Sequence, residues 1–342
     1  MKIGIVGYQG SGKSTLYEYL TGTAADPALA HTTQSAMCPV PEARIDDLCQ
    51  IYKPKKITMA SIEIVDTPGL SRTHEGSAQK LAAIREAGAL ILVVANFGGN
   101  DALVDLRNFD DDLLIADLDI MTGRVERLRD AVKKPRPNRE EQEKELEALE
   151  PLLAKLEAGQ SLRDHAYTPE QRKATKSFQL FAEKPRFIVV NLADDDTDSE
   201  RFAAHAPPGA KVVAISLVLQ RDLQAMDPQE RQAFCDEMGV RPYDRDTLIR
   251  DIMHASGQML FFTAGEKEVR TWMIRQGGTA LEAADGIHTD LARGFIRAET
   301  MSVADLVRLG GEREIKAAGL VRQEPKDYVI KDGDILNIKH AS

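Results

Sequence analysis

The sequence predicts a doubly wound α/β domain, interrupted by a helical hairpin and followed by a small β-grasp unit. Three observations predict it. Short apolar runs of strand length alternate with helix-length segments, the pattern of a parallel sheet covered on both faces. A stretch with heptad spacing lies between two of those runs and is broken once by a proline-rich turn. Beyond Gly257 the chain changes to short, mixed strand and helix segments. The expected domains are 1–112 with 181–256 for the α/β sheet, 113–180 for the hairpin and 257–342 for the β-grasp unit.

A length of 342 residues is ample for a real core and more than one domain. With 43% hydrophobic and 29% charged residues the composition is that of a soluble globular protein. No apolar run approaches the length of a bilayer span, and Met1 leads directly into a strand rather than a leader peptide. The three cysteines (Cys38, Cys49, Cys235) have an odd count and no metal-like spacing, so reduced thiols in a cytoplasmic protein are expected. A monomer without membrane contact is the accompanying expectation. The net charge of -10 argues against general coating of nucleic acid; any RNA contact needs a local basic patch.

The first strand, Ile3-Gly4-Ile5-Val6, runs into Gly7-Tyr8-Gln9-Gly10-Ser11-Gly12-Lys13-Ser14-Thr15, which fits G-x-x-x-x-G-K-[ST]. The glycines let backbone N–H groups crowd round a polyphosphate where a Cβ would intrude. Lys13 places a charge on the outer phosphates, Ser14 offers a hydroxyl to Mg²⁺, and the helix from Ser14 to Leu20 turns its positive end to the anion. Gly10, Ser11, Gly12, Lys13, Ser14 and Thr15 are therefore expected to bind a nucleoside triphosphate.

Thr21 to Val40 reads as a loop. Thr33, beside Thr32, is a candidate Mg²⁺ ligand of the kind that senses a terminal phosphate, although ordinary loop threonines fit equally. Ile57 to Val65 then reads as one strand ending in Asp66-Thr67-Pro68-Gly69. A carboxylate there is placed to hold Mg²⁺, and Gly69 to bring a backbone N–H to the γ-phosphate. Lys13, Asp66 and Gly69 are the expected catalytic set. Leu70 stands where a typical GTPase has the Gln that orients the attacking water, so hydrolysis is expected to be slow or to use another group. His74 is close by in sequence, and a solvated loop histidine is the plainer account of it.

Ala89 to Ala95, Phe187 to Val190 and Lys211 to Ser216 are further strands, their ligand loops at the carboxyl ends. The second runs into Asn191-Leu192-Ala193-Asp194; Asn191, Leu192, Asp194 and Ser216 are candidates for the base-binding side. Leu114, Leu118, Met121, Val125, Leu128 and Val132 carry the heptad seam, Pro135 to Asn138 the break, and Leu146, Leu149, Leu153 and Leu156 the return helix. Pro151 within that helix predicts a kink or restart. At the hairpin tip Arg124, Arg127, Arg129, Lys133, Lys134, Arg136 and Arg139 outnumber nearby acids, as a solvated face or as a docking surface for RNA or ribosome. In the last unit Val269 to Ile274 and Phe295 to Ala298 read as strands and Ala280 to Ala284 and Val303 to Leu309 as helices. Tyr328 to Ile338 reads as a hairpin turning at Asp332-Gly333.

These residues resemble the Obg-like ATPase (YchF) family. Phe262-Thr263-Ala264-Gly265-Glu266-Lys267-Glu268-Val269-Arg270, Ile287-His288-Thr289-Asp290, Gly294-Phe295-Ile296-Arg297-Ala298-Glu299 and Lys326-Asp327-Tyr328-Val329 are similar to the family's TGS domain. Pro41 to Arg44, Lys53 to Lys56 and Lys184-Pro185 extend the likeness into the nucleotide domain. The resemblance implies a P-loop domain with an inserted coiled coil and a TGS tail, hydrolysis of ATP or GTP, and ribosomal or other translation partners. Three departures stand out. Gly10-Ser11 replaces the family's Asn-Val, the glycine-rich stretch around Thr73 to Lys80 is thinned, and Val104 aligns with a family histidine that would replace the missing Gln. Catalysis is thereby less secured than binding, and a divergent, slowly switching paralogue is compatible with the departures. Base preference also stays open, because Asp194 is the residue GTPases use for guanine, whereas the family resemblance implies ATP.

Overall fold

The computed structural model describes residues 1–29, 32–72, 77–135, 137–196, 198, 200–205, 210–240 and 242–341. Its strands are β1 (Lys2–Val6), β2 (Gln34–Pro39), β3 (Ile57–Thr58), β4 (Ser61–Asp66), β5 (Ala89–Asn96) and β6 (Arg186–Leu192), then β7 (Lys211–Ile215), β8 (Gln258–Ala264), β9 (Val269–Arg275), β10 (Phe295–Ser302), β11 (Arg322–Glu324) and β12 (Asp334–His340). The helices begin with α1 (Lys13–Thr21), α2 (Arg44–Tyr52), α3 (Ser77–Ile84), α4 (Ala102–Ala131), α5 (Arg139–Glu157) and α6 (Pro169–Thr175). They continue with α7 (Leu217–Ala225), α8 (Pro228–Met238), α9 (Arg245–Ala255), α10 (Ala280–Ile287), α11 (Thr289–Arg293), α12 (Val303–Leu309) and α13 (Glu312–Ala317). The chain divides into two compact units. One holds Lys2–Ala36 and Glu63–Tyr243; the other holds Met1, Met37–Ile62 and Asp244–Ser342.

The larger unit is built on a sheet of order β2-β4-β1-β5-β6-β7, with β1 paired in parallel to β4 and β5, and β6 to β5 and β7. β5 and β6 are buried along nearly their whole length, which is why their sequences are continuous apolar runs. Val6, Leu92, Val94, Ile188 and Val190 pack with Leu106 and Phe109 of α4 into one core. The phosphate loop leaves β1 at its carboxyl end, beside the place where the chain switches direction across the sheet.

α4 starts at Ala102, eleven residues before the expected insertion at 113, because Asp101 caps it by accepting from the Leu103 and Val104 N–H groups at 2.9 and 3.2 Å. Met121, Val125 and Leu128 of α4 bury against Leu149, Leu152, Leu153 and Leu156 of α5. α5 runs unbroken through Pro151, without the expected restart. Pro151 and Glu147 are both exposed, so the carbonyl left without its helical N–H faces water. Four of the tip's cations are paired with carboxylates: Arg124 forks onto Glu145 with both bonds at 2.7 Å, and Arg129, Lys133 and Arg139 pair with Glu150, Asp130 and Glu143. Arg136 lies outside the described residues. No described helix is long and apolar enough to cross a membrane.

The smaller unit holds a second sheet, β11-β10-β12-β8-β9-β3. Two expectations give way here. The single strand expected over 57–65 is two strands in two sheets: the Ala60 N–H donates to Thr271 Oγ1 at 2.7 Å, leaving β3 paired with β9 and β4 with β1. The hairpin expected over 328–338 has only its second arm, because Ile330 donates to the Gly278 carbonyl at 2.9 Å and Ala280 to that of Tyr328 at 2.8 Å. Lys331 N–H and the Tyr328 hydroxyl close the turn on Asp334. α2, inside a segment assigned from sequence to the nucleotide domain, buries Ile45 and Leu48 with Phe262, Val269 and Leu306 in this unit.

Candidate nucleotide-binding site

β1 ends at Val6 and α1 begins at Lys13, so residues 7–12 bridge sheet and helix. Gly12 caps α1 in the left-handed region at φ 103°, and a Cβ there would run into Asn191 Nδ2. That contact shows what Asn191 does. Its Nδ2 donates to the Ser11 carbonyl and its Oδ1 accepts from the Leu217 N–H, both at 3.0 Å. The amide fastens the loop to the start of α7, so Asn191 bears on a ligand through the loop's shape.

Lys13 is 7% exposed and donates to the Tyr8 carbonyl at 2.9 Å. Burial pushes its pKa down to about 8; Asp66 opposes this, while Lys80 and Arg72 add to it. Ser14 donates to Asp66 Oδ2 at 2.7 Å. Asp66 sits at the carboxyl end of β4, its pKa raised by burial against the opposing pull of Ser14 and Lys13. Its Oδ1 is buried with no hydrogen-bond partner among the described residues. A hydroxyl beside a carboxylate with an orphaned oxygen is the hard donor set that suits Mg²⁺, so the residues present fit that ion. Thr33 is exposed just before β2, apart from the bonded Ser14–Asp66 pair.

The Asp66–Leu70 turn is stitched to the loop. Thr67 Oγ1 donates to the Ile5 carbonyl at 2.6 Å. The Leu70 N–H donates to the Gly7 carbonyl and the Gln9 N–H to the Leu70 carbonyl, both at 3.0 Å. A Cβ on Gly69 would lie 2.8 Å from Lys13 Nζ and 2.9 Å from Gln9 Cα and N, so only glycine fits. Leu70 itself is fully buried in the core with Val6 and Tyr8. Val104 is 39% exposed in the first turn of α4, and His74 lies outside the described residues. Neither Leu70 nor Val104 offers a polar atom for positioning water.

On the base-binding side, Asp194 is exposed and its Oδ1 accepts from Ser216 Oγ, while Ser216 caps α7 by accepting from the Leu219 N–H at 3.3 Å. Leu192 has its side chain in the core, so it can face a ligand only through its backbone. Gly10 is exposed, Thr15 half-buried, and Ser11 buried with its Oγ unpartnered among the described residues.

Residues that the sequence did not single out brace the loop and the turn. The Tyr8 hydroxyl donates to Asp112 Oδ2 at 2.8 Å, and the Arg72 guanidinium lies 5.2 Å from the Tyr8 ring centroid while forking onto Asp105 at 3.0 and 2.6 Å. Lys80 of α3 donates to the Gly69 carbonyl at 2.9 Å. A lysine on an amphipathic helix reads as solvated, and no pattern in the chain joins it to Gly69.

Residues 2–120 match the family described as "50S ribosome-binding GTPase", and residues 259–341 match the YchF-GTPase_C family, described as "Protein of unknown function (DUF933)". The chain is 32% identical to the "Ribosome-binding ATPase YchF" of Haemophilus influenzae, over 99% of this chain and 98% of that one. It is 33% identical to the protein of the same name from Escherichia coli O157:H7, over 98% of each. It is also 33% identical to "Obg-like ATPase 1" of Oryza sativa subsp. japonica, over 99% of this chain and 92% of the relative. The solved structure of the Schizosaccharomyces pombe YchF GTPase superposes with a TM-score of 0.82 at 27% identity, covering 99% of this chain and 97% of that one.

Proposed function

The chain belongs to the YchF/Obg-like family of P-loop ATPases and GTPases, and from that premise we propose that it is a Mg²⁺-dependent nucleotide switch that hydrolyses ATP slowly and engages the ribosome. The observation that carries this reading is the buried Lys13 ammonium, held 2.9 Å from the Tyr8 carbonyl and crowded by the Asp66–Leu70 turn. A buried cation with two further cations near it is stabilised by a polyanion. Ser14 and Asp66 would hold the metal, which supplies charge neutralisation on the outer phosphates. Gly69 and the loop orient that end, and the burial of Leu70 leaves the attacking water without the usual amide. Slow turnover follows. Ribosome engagement rests on the printed names of the relatives.

Base preference is proposed as ATP by a narrow margin. Asp194 keeps a carboxylate that suits guanine, but Ser216 engages one of its oxygens. Calorimetry of ATP against GTP with Mg²⁺, for the wild type and Asp194→Glu, tests the site. Binding of ATP with GTP within about tenfold is expected, a margin of about 1.4 kcal/mol. If neither nucleotide binds, the proposal fails.

A further inference from the structure

We propose that Lys80 is a positioning residue that lets the site tell a nucleoside triphosphate from a diphosphate. The inference rests on the nucleotide-switch reading of the same site. Its basis is the Gly69–Leu70 peptide, which is held at both ends: Lys80 Nζ donates to its carbonyl at 2.9 Å and its N–H donates to the Gly7 carbonyl at 3.0 Å. Holding that plane limits how far the turn can swing at Gly69, the residue whose missing Cβ leaves room for Lys13 Nζ and whose own N–H lies in the preceding peptide.

Charge makes the same point. Lys80 and Arg72 are close enough to Lys13 to make its ammonium harder to keep. Arg72 is neutralised by its fork onto Asp105, whereas the described partner of Lys80 is a neutral carbonyl. Among the described residues, Lys80 therefore brings to the Gly69 side of the loop a positive charge that no carboxylate is bonded to. A third phosphate would add negative charge on that side, and a diphosphate would not reach it. Leu81 and Ile84, buried in the core, anchor α3 so that Lys80 faces the turn from a fixed support. A strut that merely held the turn would serve both nucleotides equally.

The test is calorimetry on the full chain with Mg²⁺, using a non-hydrolysable triphosphate analogue and the corresponding diphosphate, for wild type, K80M and K80R. K80M is expected to weaken the triphosphate about tenfold or more, as loss of a charged hydrogen bond does, and the diphosphate by less than about twofold. K80R, which keeps charge and donor, is expected to stay near wild type. Equal weakening of both nucleotides, or no weakening of either, overturns the inference. A wild-type chain that binds neither nucleotide overturns the site itself, and this inference with it.

Discussion

Lys13 carries its charge against its surroundings. In the free protein burial lowers its pKa to about 8, below the ordinary lysine value of 10.5. A bound polyphosphate favours the protonated form, so above that pH binding must take up a proton. Triphosphate affinity should therefore be level below about pH 8 and fall by up to about tenfold per pH unit above it. Calorimetry from about pH 7 to about pH 10 checks this, and a flat profile would show that Lys13 does not face the anion. For the protein without nucleotide the sign reverses. The unfolded chain binds more protons between the two pKa values, so stability rises with pH across that window. Gly69 gives a second residue-scale expectation. In G69A the new methyl meets Lys13 Nζ at 2.8 Å and the Gln9 backbone at 2.9 Å. Overpacking of this kind costs about 1–3 kcal/mol, so triphosphate binding should weaken about tenfold to a hundredfold. Unchanged binding in G69A would mean that the turn can move away without consequence.

Among the elements, the α4–α5 hairpin stands on its leucines. Leu149 is fully buried among Met121, Val125 and Leu128. Leu149→Ala should cost about 2–5 kcal/mol of stability, read from chemical denaturation. Nucleotide affinity should be unchanged, because no residue of the site lies in that cluster. Loss of nucleotide binding at equal foldedness would show that the hairpin is coupled to the loop. The basic tip illustrates how far a linear pattern carries. Counting charges along the chain shows a surplus, but Glu145 and Glu150 reach Arg124 and Arg129 from the other helix of the hairpin. Exposed pairs of this kind contribute little to stability, about 0–1 kcal/mol, yet they remove net charge that an RNA backbone would need.

At the scale of the whole chain, the compact units do not follow a simple order along the sequence. Met37–Ile62 packs with Asp244–Ser342, although it is flanked by the segments that build the phosphate loop and the Asp66 turn. Ile45 and Leu48 of α2 need Phe262, Val269 and Leu306 to be buried. A chain cut after Ser256 should therefore expose that apolar face and aggregate, or lose helix, as seen by light scattering and circular dichroism. A well-behaved 1–256 fragment with full helix content would contradict that dependence. Single-turnover hydrolysis on the intact chain, with and without ribosomes, separates a slow enzyme from a nucleotide-gated binder. Phosphate release is expected in at least one condition, and its absence from both would leave binding without catalysis.

The phosphate loop, the Asp66–Gly69 turn and the buried parallel strands could be read directly, because each is a local pattern whose residue types are dictated by backbone geometry or two-sided burial. Pairing between distant segments could not. Asn191 binding the Ser11 carbonyl, Lys80 binding that of Gly69, and the split of 57–66 between two sheets all depend on which groups the fold brings within hydrogen-bond reach. Composition and spacing fix what a residue is able to donate or bury; only packing in three dimensions selects its partner.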